Sequence, residues 1–192
     1  PMLETLLELK EYLDPETILR LAGSLALWVM IAIIFAETGL MIGFFLPGDS
    51  LLFVAGLFTA IAGPGTADPL IPHGYWTMVL SLTAAAIIGD QVGYLIGRKI
   101  GPALFTREES FFFKPKYVRQ TKAFYDRHGG KTIIIGRFVP FVRTFAPVIA
   151  GVVNLEYKRF VSYNVFGGIL WIFSMFTLGY SIRFFLTLEQ ID

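Results

Sequence analysis

The apolar first half of the chain is interrupted by the sequence Phe35-Ala36-Glu37-Thr38-Gly39-Leu40-Met41-Ile42-Gly43-Phe44-Phe45-Leu46-Pro47-Gly48-Asp49-Ser50, which carries two carboxylates. A later interruption, Gly136-Arg137-Phe138-Val139-Pro140-Phe141-Val142-Arg143, carries two guanidiniums. A charged side chain at the centre of a bilayer costs at least ~2.5 kcal/mol, so such residues usually face a cavity or each other. Acids in one half and arginines in the other therefore predict one polar site inside a membrane protein.

The composition agrees with a membrane protein. The 192 residues are 55% hydrophobic and 16% charged, whereas a soluble domain carries about 25% charged residues. We therefore expect a single integral membrane domain over residues 1–192 with an all-α, polytopic fold. The net charge of +1 argues against nucleic acid as a partner, and the absence of cysteine excludes disulfides and thiolate chemistry.

Three apolar stretches predict transmembrane helices. Leu21–Ala36 contains 16 uncharged residues, slightly short of the ~20 needed to span a bilayer, so it could span only if Glu37 lies near the far interface or in a protein cavity. Residues 75–97 are apolar apart from Asp90 and predict a spanning helix. Phe160–Ile182 is 23 residues long without a charge, which predicts a last transmembrane helix over about 158–182.

Other segments predict structure at the membrane surface. Residues 3–13 place leucines on one helical face and acids on the other, as in an interfacial amphipathic helix. Asp14 followed by Pro15 predicts the start of a helix. Residues 98–131 hold nine of the sixteen basic residues against three acids, and helical spacing recurs over 117–128. Because short loops rich in Lys and Arg stay inside, we expect this basic loop to be cytoplasmic.

Two apolar segments are too broken to span a bilayer. The first, about 38–63, is interrupted at Pro47 and Gly48. The roughly ten residues before that break reach only about 15 Å as a helix, half a bilayer, which predicts a re-entrant hairpin. The second, about 132–153, is interrupted at Pro140 and Pro147.

The two broken segments also resemble each other. Phe45-Leu46-Pro47 precedes Val54-Ala55-Gly56, and Phe138-Val139-Pro140 precedes Ile149-Ala150-Gly151. Interrupted segments at corresponding positions of two halves indicate a transporter binding site. The alternative is chance, since short apolar motifs recur freely.

The two arginines suit an anionic ligand. Arg stays charged in any environment and binds phosphate or carboxylate through a planar, bidentate fork. A turn at Pro140 could direct Arg137 and Arg143 to one point. The alternative is that each arginine neutralises Glu37, Asp49 or Asp90 to hold the fold.

The acids suit proton transfer. A carboxylate in a medium of low dielectric binds a proton more readily than in water, so Glu37 and Asp49 are candidate proton carriers. Ion pairing would instead keep them ionised. We expect Asp49 to be the clearer carrier, because Pro47 and Gly48 place it at a helix break that water can reach. For Asp90 we favour a structural role, and the glycines at 89, 93 and 97 predict close helix packing.

Enzymatic function has little support in the sequence. Neither histidine has a neighbour at metal-ligand spacing, and there is no nucleophile elbow, P-loop or dinucleotide-binding glycine motif. No metal and no cofactor is therefore expected.

Taken together, these motifs resemble the bacterial DedA family of inner-membrane proteins. The resemblance rests on Glu37, Phe45-Leu46-Pro47-Gly48-Asp49-Ser50, Gly89-Asp90, and Gly136-Arg137-Phe138-Val139-Pro140 with Arg143, and covers roughly residues 20–182. It implies two re-entrant hairpins that face each other as an inverted repeat. It also implies transport of undecaprenyl phosphate, the lipid carrier of cell-wall synthesis, driven by a proton or sodium gradient.

By position, the resemblance assigns Arg137 and Arg143 to the substrate phosphate and Glu37 and Asp49 to the coupling proton. Asp90, Pro47, Gly48 and Pro140 would be accessory residues.

Two other functions remain open from the residues. One is a passive phospholipid scramblase or flippase without a coupling ion; the other is a structural membrane-integrity protein whose charges only hold the hairpins together. The sequence also leaves open whether the protein acts as a monomer or a homodimer.

Overall fold

A computed structural model describes residues 14–40, 47–61, 73–106, 134 and 137–189. Over these residues the regular structure is helical, and no β-strand occurs. A 3₁₀ turn, Gly23–Leu25, joins the first two helices. The helices are α1 (Pro15–Ala22), α2 (Ala26–Gly39), α3 (Gly48–Ile61), α4 (Tyr75–Thr106), α5 (Pro140–Val152) and α6 (Tyr157–Glu189). The predicted all-α fold is confirmed.

Three helical stretches among the described residues are long and apolar enough to cross a bilayer: Thr17–Gly39, Tyr75–Gly101 and Tyr157–Phe185. Large apolar side chains such as Leu80 and Leu178 are exposed along them, as expected for surfaces that face lipid. The chain is therefore a multi-pass membrane protein, and the spanning helices predicted over 75–97 and about 158–182 are confirmed. The stretch Leu21–Ala36, judged slightly short, is part of a longer helical stretch, Thr17–Gly39, of 23 residues.

Proline sets where several helices begin. Pro15 opens α1, and the side chain of Asp14 accepts a hydrogen bond from the Thr17 amide at 3.1 Å, as predicted. The Pro47 carbonyl accepts from the Leu51 amide at 2.8 Å in the first turn of α3. Pro140 is the first residue of α5.

Pro147 corrects one expectation, because it lies inside α5 and does not end it. It has no amide hydrogen to donate to the Arg143 carbonyl four residues earlier. Of the two prolines predicted to break this segment, only Pro140 lies at a helix boundary.

Several predictions concern residues outside the described part of the chain. The first arms of the hairpins predicted at about 38–63 and 132–153 fall largely there, so re-entrant hairpins are not confirmed. The interfacial helix predicted at 3–13 lies there too, as does most of the basic loop 98–131. The first residues of that predicted loop are helical, since α4 continues to Thr106.

Backbone contacts divide the chain into two compact units. Unit 1 comprises Pro1–Ile34, Phe45–Ala84 and Ile172–Asp192, and unit 2 comprises Phe35–Phe44 and Ala85–Trp171. Both long helices, α4 and α6, therefore contribute residues to each unit.

In unit 1, α1 and α6 both pack against α3. A Cβ built on Gly56 of α3 would overlap the Phe176 carbonyl oxygen of α6, and one on Gly179 would overlap the Phe53 carbonyl oxygen. Glycine is thus needed for this close approach. The hydroxyls of Tyr75 and Thr177 are hydrogen-bonded at 2.5 Å.

In unit 2, the same kind of contact joins α5 to α4. A Cβ on Gly151 would overlap the Tyr94 carbonyl oxygen, and one on Gly97 would overlap that of Val148. Gly89 and Gly93 also face backbone or side-chain atoms of neighbouring helices, which confirms that the glycine stripe serves packing. The weak sequence similarity between the two broken segments therefore corresponds to one helix contact made twice.

Candidate functional site

Four of the five charges singled out in the sequence are brought into unit 2. Glu37 lies in the last turn of α2 and Asp90 in the middle of α4. Arg137 precedes α5, and Arg143 lies in its first turn. Their exposed fractions are only 1%, 2%, 4% and 7%, respectively. Charges buried to this extent need partners, and each of the four has one of opposite sign.

The first ion pair joins Arg143 to Glu37. The Arg143 Nη2 atom donates to Glu37 Oε1. The Arg143 Cζ atom also lies 4.6 Å from the centroid of the Trp171 ring, within the range of a cation–π interaction. Arg143 is therefore held by a carboxylate from α2 and by an indole from α6.

The second ion pair joins Arg137 to Asp90 and extends to a third residue. Arg137 Nη2 contacts Asp90 Oδ2 and also donates to Asn164 Oδ1 of α6. Asn164 is fully buried, and its amide nitrogen donates to the Ile87 carbonyl at 3.2 Å. Both ends of the amide are thus used, which fixes its orientation and that of the guanidinium.

Small residues make room for Arg137. A Cβ on Gly167 of α6 would lie 2.9 Å from Arg137 Cδ and 3.1 Å from its Nε, and Gly168 faces the same side chain. The aliphatic part of the Arg137 side chain therefore passes α6 at Gly167 and Gly168, where no side chain blocks it.

The electrostatics of the site are balanced. Two carboxylates face two guanidiniums, and the two arginines are close enough to repel each other. A phosphate that binds either arginine would approach a guanidinium that already contacts a carboxylate. Loss of charge on a carboxylate would therefore favour the binding of an anion at its arginine.

The remaining predicted residues lie in unit 1 or at helix starts. Asp49 is half-buried in the first turn of α3, next to Gly48, while Pro47 immediately precedes that helix. Pro140 begins α5. The structure therefore unites Glu37, Asp90, Arg137 and Arg143 in unit 2 and places Asp49 in the other unit.

Two residues of the site, Asn164 and Trp171, were not predicted from the sequence. Asn164 is a polar residue within the uncharged run Phe160–Ile182, and that position was a usable signal, because polar groups in membrane helices usually bond across helices. Trp171 gave no signal, since aromatic residues are common in apolar helices. Among the described residues, no group of three or more His, Cys, Asp or Glu could hold a metal ion.

Comparison with known proteins places this geometry in a family. A family model described as the VTT domain matches residues 46–181. The chain is 46% identical over 175 residues to the protein DedA of Escherichia coli K12, covering 90% of this chain and 75% of that protein. It is 35% identical over 159 residues to the inner membrane protein YghB of the same strain, covering 83% of this chain and 68% of the relative.

A third relative is an uncharacterized membrane protein of Mycobacterium leprae, which is 48% identical over 150 residues. That alignment covers 78% of this chain but 63% of the relative, so the chain spans less than two thirds of that protein. No solved structure matches the chain. By the family model and by these identities, the chain belongs to the VTT-domain family of membrane proteins, the DedA family.

Proposed function

We propose that the protein translocates a lipid phosphate between the leaflets of the bacterial inner membrane, coupled to the proton or sodium gradient. Membership of a family of membrane proteins is consistent with a transporter or flippase. The family resemblance supplies undecaprenyl phosphate as the substrate. The proposal involves no covalent chemistry, so the protein acts as a transporter and not as an enzyme.

The observation that carries this proposal is the buried ion pair between Glu37 and Arg143. Carboxylate and phosphate bind the same guanidinium fork, and Arg does not lose its proton. A proton taken up by Glu37 removes the competing negative charge and leaves the site with a charge of +1. A singly charged phosphate then restores neutrality.

This exchange couples proton uptake by Glu37 to phosphate binding through charge alone. With Glu37 ionised, a bound phosphate would add an uncompensated negative charge to a buried site, which is costly. With Glu37 protonated and no phosphate, the positive charge of Arg143 would no longer be neutralised by Glu37. The low-energy states are therefore the empty ionised site and the protonated, phosphate-loaded site. A sodium ion bound to Glu37 would have the same effect.

Asp49 is proposed as a second carrier. It is half-buried at the first turn of α3, beside the break at Pro47 and Gly48. A proton on Asp49 would change the charge next to the α3 N-terminus, where a helix dipole favours an anion.

A structural role is the second candidate, and one observation favours it. Arg137 is bound by Asp90 and by Asn164 and lies against Gly167, so this guanidinium is held from several sides. Buried ion pairs of this kind often serve only to hold helices together. In this alternative Arg137 holds the helices together and makes no contact with phosphate.

Transport in proteoliposomes tests the proposal. We expect the reconstituted protein to move a fluorescent undecaprenyl phosphate analogue only when a pH or sodium gradient is imposed. Glu37→Gln should abolish this gradient-driven transport, whereas phosphate affinity should survive or increase because the competing anion is gone. Glu156→Gln is the control, since Glu156 is exposed and pairs only at the surface with Arg159.

Other results would assign other functions. Equal movement of many phospholipids without a gradient would indicate a passive scramblase. If Glu37→Gln instead lowers the free energy of unfolding by about 3–5 kcal/mol and abolishes phosphate binding, the carboxylate is structural.

A further inference from the structure

We infer that Trp171 is a positioning residue for the proposed phosphate ligand: it holds the Arg143 guanidinium in place while its anionic partner changes from Glu37 to phosphate. This inference rests on the proposed function and adds a specific role within it. Neither the sequence pattern nor the family resemblance singled out this residue.

The geometry places the indole directly on the exchanging cation. The Arg143 Cζ atom lies over the Trp171 ring at 4.6 Å from its centroid. Trp171 is 1% exposed, so its ring meets the guanidinium away from water. The face of an indole carries negative charge density and attracts a cation, most strongly where both are desolvated.

Glu37 and Trp171 differ in one respect that matters for the exchange of the anion bound to Arg143. Glu37 binds through an N–H donor and neutralises the positive charge. Trp171 attracts the cation without neutralising it, so this attraction remains when the carboxylate is protonated. Arg143 can therefore keep its position and its charge during the step in which Glu37 no longer neutralises it.

Arg137 has a different set of partners. Besides the carboxylate of Asp90, it is hydrogen-bonded to Asn164, a neutral amide that gains or loses no proton. Its carboxylate could be released, but the amide would still occupy one of its donors. The geometry thus favours Arg143 as the guanidinium that receives phosphate and Arg137 as a fixed cation beside it.

Intrinsic fluorescence offers a direct readout, because the chain has three tryptophans and the other two are exposed. In a Trp28→Phe, Trp76→Phe background, Trp171 is the only indole. Titration with n-dodecyl phosphate in maltoside micelles should produce a saturable change in its emission. Dodecanol should not produce it, and Arg143→Gln should abolish it.

Affinity gives the second readout. By calorimetry, we expect Trp171→Leu to weaken dodecyl phosphate binding about tenfold and Trp171→Phe to weaken it less, since phenylalanine retains a smaller π face. The loss should be larger in a Glu37→Gln background, where the ring is left to hold the cation without the carboxylate. Trp28→Leu is the matched control and should leave the affinity unchanged.

The outcomes separate this inference from the proposed function. If dodecyl phosphate binds by calorimetry but Trp171 emission does not change, the inference is wrong while the proposed function stands. Equal losses from Trp171→Leu in both backgrounds would also contradict it, because they would indicate packing alone. If dodecyl phosphate does not bind the unsubstituted protein at all, the proposed function fails and this inference fails with it.

Discussion

The helix pair α3–α6 in unit 1 and the pair α5–α4 in unit 2 are packed by the same contact. Each pair uses two glycines, Gly56 with Gly179 and Gly151 with Gly97. In both pairs, each glycine faces the carbonyl oxygen of the residue three positions before the other glycine, so the helices run antiparallel. The same antiparallel helix contact therefore occurs once in each unit.

The polar groups around the two contacts differ. The buried polar residues described in unit 1 are Thr59 and Thr83, and Thr59 donates within its own helix to the Ala55 carbonyl at 2.8 Å. Unit 2 buries two ion pairs together with further polar residues, and each ion pair joins residues far apart in the chain. The buried polar residues described in unit 2 are Glu37, Thr38, Asp90, Arg137, Arg143, Thr144 and Asn164.

The glycine contacts and the buried ion pairs can therefore be considered separately. The glycine contact brings backbones together in either unit and needs no charge. The two ion pairs described between buried residues, Arg137–Asp90 and Arg143–Glu37, both lie in unit 2. Substitutions that act on one unit and not on the other can therefore test the two parts separately.

The largest expected effect is on a buried ion pair. Asp90→Asn leaves Arg137 without its carboxylate in a buried site and should lower the free energy of unfolding by about 3–5 kcal/mol. Asp49→Asn, the same substitution in unit 1, should cost at most about 1 kcal/mol, because Asp49 is half-buried at a helix start. Denaturant titration in micelles measures both. Equal losses would remove the distinction between the units.

An intermediate effect is expected at the shared contact. Gly56→Ala and Gly151→Ala each place a methyl group on a backbone carbonyl and should each cost about 1–3 kcal/mol. Gly74→Ala is the control, since a Cβ there meets nothing within 4 Å. Thermal unfolding of the three variants compares them. If one glycine tolerates alanine and the other does not, the two contacts are not equivalent.

The smallest expected effect is on ligand binding. Arg143→Lys keeps the charge but loses the bidentate fork, so affinity for dodecyl phosphate should fall about tenfold while the protein still folds. Arg183→Lys is the matched control in unit 1, where Arg183 donates to the Ala60 carbonyl at 2.5 Å. Calorimetry measures both variants. Unchanged affinity in Arg143→Lys would show that charge alone suffices.

The sequence by itself determined where the helices lie and which of them can span a membrane. Apolar length, Asp14 with Pro15, and the prolines at 47 and 140 act over a few residues, so their effects can be predicted locally. The burial of Glu37, Asp90, Arg137 and Arg143 in one unit also agreed with the expectation that intramembrane charges face each other.

Only the tertiary structure decided which acid pairs with which arginine. Glu37 and Arg143 are 106 residues apart, and their contact depends on how α2 and α5 pack, which no local pattern specifies. For the same reason Asn164 and Trp171 joined the site from α6, a helix whose sequence predicted a membrane span and nothing more. Local sequence fixes a helix and its ends, whereas close packing at glycines such as Gly89 and Gly97 fixes which side chains meet.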